Sequence, residues 1–179
     1  MAMLLEKTIF QVDVLELEVR FGPEATTRLD SLIAASSPSE RPDGLTDSVA
    51  AIALEARDAL TSLEFLRDVG LDRFLEGIRD NLRRALEGGL ITAEEFEGIA
   101  RALPGWYDFL RDRGIRSGDR MLQRVRGDSL RTVYISAAGD TLLDQTDRGS
   151  HRRLAVLGGY FAPGSDFREG LVDSLLDTD

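Results

Sequence analysis

The chain has 179 residues, with 22 Lys and Arg against 32 Asp and Glu, a formal charge of −10 at pH 7 and no cysteine. That length is about one domain with a real core, and the negative charge opposes nucleic acid or anionic membrane as a partner, because phosphate binding draws on clustered Lys and Arg. Without thiols there are no disulfides, thiolate metal sites or cysteine nucleophiles.

Lys7 is the only lysine, and the arginines are interspersed with carboxylates, which reads as a high-GC composition rather than a binding surface. The N-terminus lacks a basic segment followed by roughly 7–15 apolar residues, and no later stretch approaches about 18 apolar residues. The expectation is a cytoplasmic protein with no membrane insertion.

Residues 7–21 read as extended, with an apolar set that changes phase: Thr8, Phe10, Val12 and Val14 first, then Leu15, Leu17, Val19 and Phe21. A β-bulge or bend near Val14–Leu15 reconciles the two halves, giving one strongly bent strand or two. Pro23 opens a helix over 23–35 with Leu29, Leu32 and Ile33 on one stripe, and the prolines and serines of 36–43 form a loop. Thr46 is the expected cap of a helix along which Val49, Ile52, Ala53, Ala56 and Leu60 recur. Residues 62–67 read as a strand. Leu71, Phe74, Leu75, Ile78, Leu82 and Leu86 then form the clearest amphipathic stripe, a helix over 71–87 that Gly88-Gly89 stops.

Thr92 and Glu95 make a capping box for a helix that turns Phe96, Ile99, Ala100 and Leu103 inward. Pro104 is expected to interrupt it, with a short helical turn carrying Trp106, Tyr107 and Leu110 beyond. Residues 115–147 read as a β-meander with strands over 120–126, 130–137 and 141–145, joined at Gly127-Asp128 and Gly139-Asp140. Such a meander needs another layer over its apolar face. After it, 150–161 looks helical although Gly158-Gly159 weakens the pattern, and Ser165 or Asp166 caps a last helix with Phe167, Leu171 and Leu175. The expected whole is one α+β domain, 1–179.

Little in the chain announces catalysis. The sole histidine, His151, has no Gly-x-Ser-x-Gly elbow and no acidic residue placed to orient it, and reads as exposed. One histidine and scattered carboxylates give no metal-ligand spacing, and Asp140, Asp144 and Asp147 read as solvated. There is no Gly-x-Gly-x-x-Gly or Walker-type loop, so no nucleotide cofactor is expected. Arg126-Gly127-Asp128 spells an adhesion tripeptide, but Gly and Asp are what a tight hairpin requires. Asn81 lies on the polar flank of the 71–87 stripe.

Thr8-Ile9-Phe10-Gln11-Val12-Asp13-Val14-Leu15, Leu63-Glu64-Phe65-Leu66-Arg67-Asp68-Val69, Ile115-Arg116-Ser117-Gly118-Asp119 and Pro163-Gly164-Ser165-Asp166-Phe167-Arg168-Glu169-Gly170-Leu171 together resemble the chalcone isomerase-like family. The match is spread over roughly residues 7–176, as in a bacterial member. It implies an antiparallel β-sheet with helices layered on one face, an open-faced sandwich, and a ligand cleft between sheet and helices. The family includes enzymes that cyclise chalcones, members that bind fatty acids without catalysis, and non-catalytic auxiliary members.

Carried over residue by residue, the family's first-strand arginine falls at Leu5, or the chain begins too late to include that strand fully; its threonine falls at Gln11, its tyrosine at Phe74, its lysine at Gly77 and its asparagine at Asn81. Only Asn81 matches. Loss of the arginine removes the group expected to stabilise an enolate, and loss of the tyrosine hydroxyl removes a hydrogen bond. The expectation is therefore a non-catalytic protein without cofactor or metal that binds a small apolar or amphipathic, fatty-acid-like ligand, with Phe10, Gln11, Phe74, Ile78 and Asn81 lining the cleft. One alternative is an intramolecular lyase with a rearranged site, drawing its cation from Arg67, Arg79 or Arg131. Another is a partner-binding scaffold with a closed core.

Overall fold

The computed structural model describes residues 2–6, 13–35 and 44–176. Six strands form one antiparallel sheet in sequential order: β1 (Ala2–Glu6), β2 (Asp13–Phe21), β3 (Asp58–Phe65), β4 (Arg120–Arg126), β5 (Ser129–Ile135) and β6 (Thr141–Arg148). The expected three-stranded meander is thus the second half of a six-stranded one. Helices α1 (Pro23–Ala34) and α2 (Leu45–Glu55) separate β2 from β3. Helices α3 (Leu71–Glu87) and α4 (Ala93–Trp106) separate β3 from β4, and α5 (Ser150–Phe161) and α6 (Arg168–Leu176) follow β6.

One sheet face is covered and the other is open. On β3, β4 and β5 the buried residues alternate, Ala59, Thr61, Leu63 and Phe65 against Met121, Gln123 and Val125 and against Leu130, Thr132 and Tyr134. The opposite face carries Glu16, Arg20, Glu64, Arg131 and Asp144, all exposed, and there Arg131 grips Asp144 through two hydrogen bonds of 2.7 and 2.6 Å. This is the α+β open sandwich expected from the sequence.

The phase change in the N-terminal segment has a structural counterpart. Leu5 pairs with Leu15 but Glu6 pairs with Asp13, so Val14 is the extra residue of a bulge. A strand already runs from Ala2, earlier than expected, and the stretch 7–12 lies outside the described residues, as does the loop 36–43.

Helix α3 has the expected bounds, and the capping box of α4 is present in both directions. Four expectations need correction. Gly44, with φ 79°, turns the chain into α2 two residues early, so Thr46 lies inside that helix and does not cap it. The helix ends at Glu55, and Leu60 belongs to β3, which starts four residues ahead of its expected beginning. Pro104 lies within α4, which continues to Trp106, because Leu103 and Tyr107 are buried on the core side and the Tyr107 N–H still reaches the Leu103 carbonyl. Gly158-Gly159 does not weaken α5. A Cβ on Gly158 would fall 2.8 Å from Ala85 Cβ, so these glycines let α5 lie directly against α3.

Candidate functional site

A cavity of about 200 Å³ lies between the sheet and the helical layer. Its floor is the inner face of β3–β6, and its roof is built by α3, α4 and α5. Phe74, Ile78 and Asn81 of α3 all line it, and so does Gly77. Phe10 and Gln11 lie outside the described residues.

Register decides what the floor offers. Leu63, Met121, Tyr134 and Leu143 form one row across the sheet. With Phe65, Phe74 and Tyr107 nearby, that end is apolar and aromatic: Phe65 and Phe74 rings are 5.8 Å apart, and Phe74 and Tyr107 are 5.0 Å apart edge to face. Two residues along each strand the row is instead Thr61, Gln123, Thr132 and Gln145. Thr61, Gln123 and Thr132 are buried and Gln145 half-buried, which is costly unless partners are found. Gln123 Oε1 accepts from Thr61 Oγ1 at 3.3 Å and from the Tyr160 hydroxyl at 3.2 Å. Gln145 Nε2 donates to Asp147 at 2.9 Å. Gln123 Nε2 and Thr132 Oγ1 have no partner among the described residues, and both residues line the cavity.

Burial raises the pKa of Tyr160, with Tyr107 close by adding to the effect and a hydrogen bond with Thr61 opposing it. Burial also raises that of Tyr107, with Asp147 adding to the effect. Both phenols therefore remain neutral donors at any ordinary pH. Arg152 and Trp106 also line the cavity, with the guanidinium carbon 4.7 Å from the ring centroid. The cavity thus has an apolar end and a polar end.

Sequence reasoning missed Thr61, Gln123, Thr132, Gln145, Asp147 and Arg152. Gln123 and Thr132 fall in the inward phase of otherwise apolar strands, a signal that was legible, whereas their alignment needs the register. Arg152 shares a helix face with Ala155 and Val156, which also line the cavity. Asp147, expected to be solvated, is half-buried at the cavity wall, and His151 is half-buried, 3.8 Å from Glu95. None of Arg67, Arg79 and Arg131 lines the cavity.

Among the described residues no group of three or more His, Asp or Glu is placed to hold a metal ion, and no helix is long and apolar enough to cross a membrane. Among the described residues Leu66 is the one exposed large hydrophobic side chain.

No family model matches the sequence, and no curated protein matches it. Solved structures do: a fatty-acid binding protein of Arabidopsis thaliana superposes with a TM-score of 0.59 at 12% identity, over 98% of this chain and 86% of that one. At that identity the likeness speaks for the fold alone, and the fold is the chalcone isomerase-like open-faced sandwich, an antiparallel sheet with helices layered on one face.

Proposed function

We propose that the protein binds a small amphipathic ligand, fatty-acid-like in joining an apolar body to a polar head, in the cavity between the sheet and α3, and that it acts as a binder rather than a catalyst. The observation that carries this is the cavity itself, with its aromatic end and its row of polar groups only partly satisfied by each other. Phe74, Ile78 and Asn81 are the proposed ligand contacts from α3, with Phe10 and Gln11 assigned to the same role from the sequence resemblance. A dry apolar cavity of about 150 Å³ takes up benzene. By that measure about 200 Å³ suits an apolar body of roughly eight heavy atoms.

The Arabidopsis neighbour is by name a fatty-acid binding protein, which supports the same class of ligand. The reading extends to a single domain over 1–179, to membership of the chalcone isomerase-like family as a bacterial protein, and to a cytoplasmic location. No observation favours the lyase through Arg67, Arg79 or Arg131, and the cavity speaks against a closed core.

Native mass spectrometry of the purified protein, followed by denaturing extraction, tests the proposal. A co-purified amphipathic acid or related small molecule is the expected outcome. A clean apo mass, combined with no thermal shift on adding fatty acids, overturns it.

A further inference from the structure

The cavity's polar end holds an arginine without a counter-ion. Arg152 Nε is buried and has no hydrogen-bond partner, and no ion pair joins the side chain to any described carboxylate. This occurs in a chain with 32 acidic residues, ten more than its basic ones. The other cavity-lining arginine, Arg73, is exposed to solvent and can be hydrated there. Arg152 is itself half-buried, and it is the buried Nε that lacks the partner such groups normally have.

Trp106 holds the guanidinium in place. The ring face attracts the cation and limits its rotation, while the edge that carries the N–H donors stays free for hydrogen bonding. Of the acids on the cavity wall, Asp147 has its carboxylate engaged by Gln145 Nε2 at 2.9 Å. Asp80, also on the wall, pairs with Arg83, and Asp166 is exposed. The cavity wall therefore presents one cation stacked on Trp106, and Thr132 and Gln123 line the same cavity.

We propose that Arg152 is the head-group residue of the cavity and that the ligand it takes is a short-chain or medium-chain carboxylate, whose planar anion meets the guanidinium while its alkyl chain runs toward Phe65 and Phe74. This rests on the cavity being a ligand site, and adds the charge of the ligand and its orientation. The planar fork of arginine matches a carboxylate through two parallel hydrogen bonds. Asp147 is a repulsive neighbour of that anion, so its neutral isostere improves the fit.

The test is calorimetric titration of the full chain with octanoate and with octanol, which share a chain and differ in head charge. The native protein is expected to prefer octanoate. Arg152→Gln is expected to weaken octanoate about 10-fold or more while leaving octanol unchanged, and Asp147→Asn to leave octanoate binding equal or tighter. Equal binding of octanoate and octanol by the native protein overturns the inference and leaves the ligand site standing. So does an Arg152→Gln variant that weakens both ligands alike and melts lower, since the arginine then only packs against Trp106. If neither compound binds, the inference and the ligand-binding reading fall together.

Discussion

Gly159 of α5 lies so close to Asn81 of α3 that a Cβ on the glycine would fall 2.9 Å from Asn81 Cβ. Neither atom is the far end of a flexible side chain, so an added methyl must push the helices apart. Gly159→Ala is expected to destabilise the protein by about 1–3 kcal/mol, the usual range for overpacking, despite the better helix propensity of alanine. Gly98 in α4 supplies the control, because a Cβ there meets nothing within 4 Å. Gly98→Ala is expected to stabilise by roughly 0.5–1 kcal/mol. Urea unfolding of the two variants gives opposite signs if helix contact, and not propensity, sets the role of Gly159.

The buried carboxylate of Asp119 accepts from Arg113 at 2.7 and 3.1 Å, from the N–H groups of Arg116 and Ala137 at 2.9 Å each, and from the Tyr134 hydroxyl at 2.9 Å. Burial works to raise its pKa, but Arg113 and the three other donors outweigh it and hold the carboxyl at about 2 against an ordinary 3.8. The folded pKa is depressed, so this contribution is fully present above about pH 4 and is lost as pH falls toward 2. It amounts to on the order of 2 kcal/mol. Urea titrations at descending pH are expected to show the native protein losing stability faster than Asp119→Asn through that window; parallel curves would remove the assignment.

Gly77 faces the cavity from α3 with nothing within 4 Å of its would-be Cβ. Gly77→Leu is expected to raise the stability of the ligand-free protein by about 1 kcal/mol from helix propensity alone. By filling the space it is also expected to abolish the thermal shift produced by octanoate. A Gly77→Leu protein that keeps the shift would place the ligand elsewhere.

Thr92 and Glu95 exchange hydrogen bonds at the start of α4, the Glu95 N–H to Thr92 Oγ1 at 3.2 Å and the Thr92 N–H to Glu95 at 2.8 Å. Thr92→Ala is expected to cost about 1 kcal/mol, read as a lower midpoint of thermal unfolding.

Local patterns were the legible part of this chain. The stripe from Leu71 to Leu86, the Thr92–Glu95 box, the turns at Gly127 and Gly139 and the extra residue at Val14 each express physics confined to a few neighbours. Phe74 and Ile78 were legible from the apolar stripe of α3, whereas Asn81 was assigned to the cavity through the family resemblance; all three line it. What stayed hidden depends on distant partners. Pro104 stays helical because of the core contacts of Leu103 and Tyr107, and Gly158 is tolerated in α5 because Ala85 lies against it. The polar row exists only once Thr61, Gln123, Thr132 and Gln145 are set in register, and Arg152 acquires its meaning from Trp106, a residue of another helix.

Strand β6 supplies Leu143, Gln145 and Asp147 to the cavity wall and is the last strand of an open sheet, bonded on one side only, to β5. An edge strand detaches at a free energy below that of global unfolding. A ligand in the proposed cavity would then exchange by the peeling of Thr141–Arg148, and its residence time would be separable from thermal stability. Hydrogen exchange would register the difference as β6 amides that open ahead of those of β3 and β4, and that slow when the cavity is occupied.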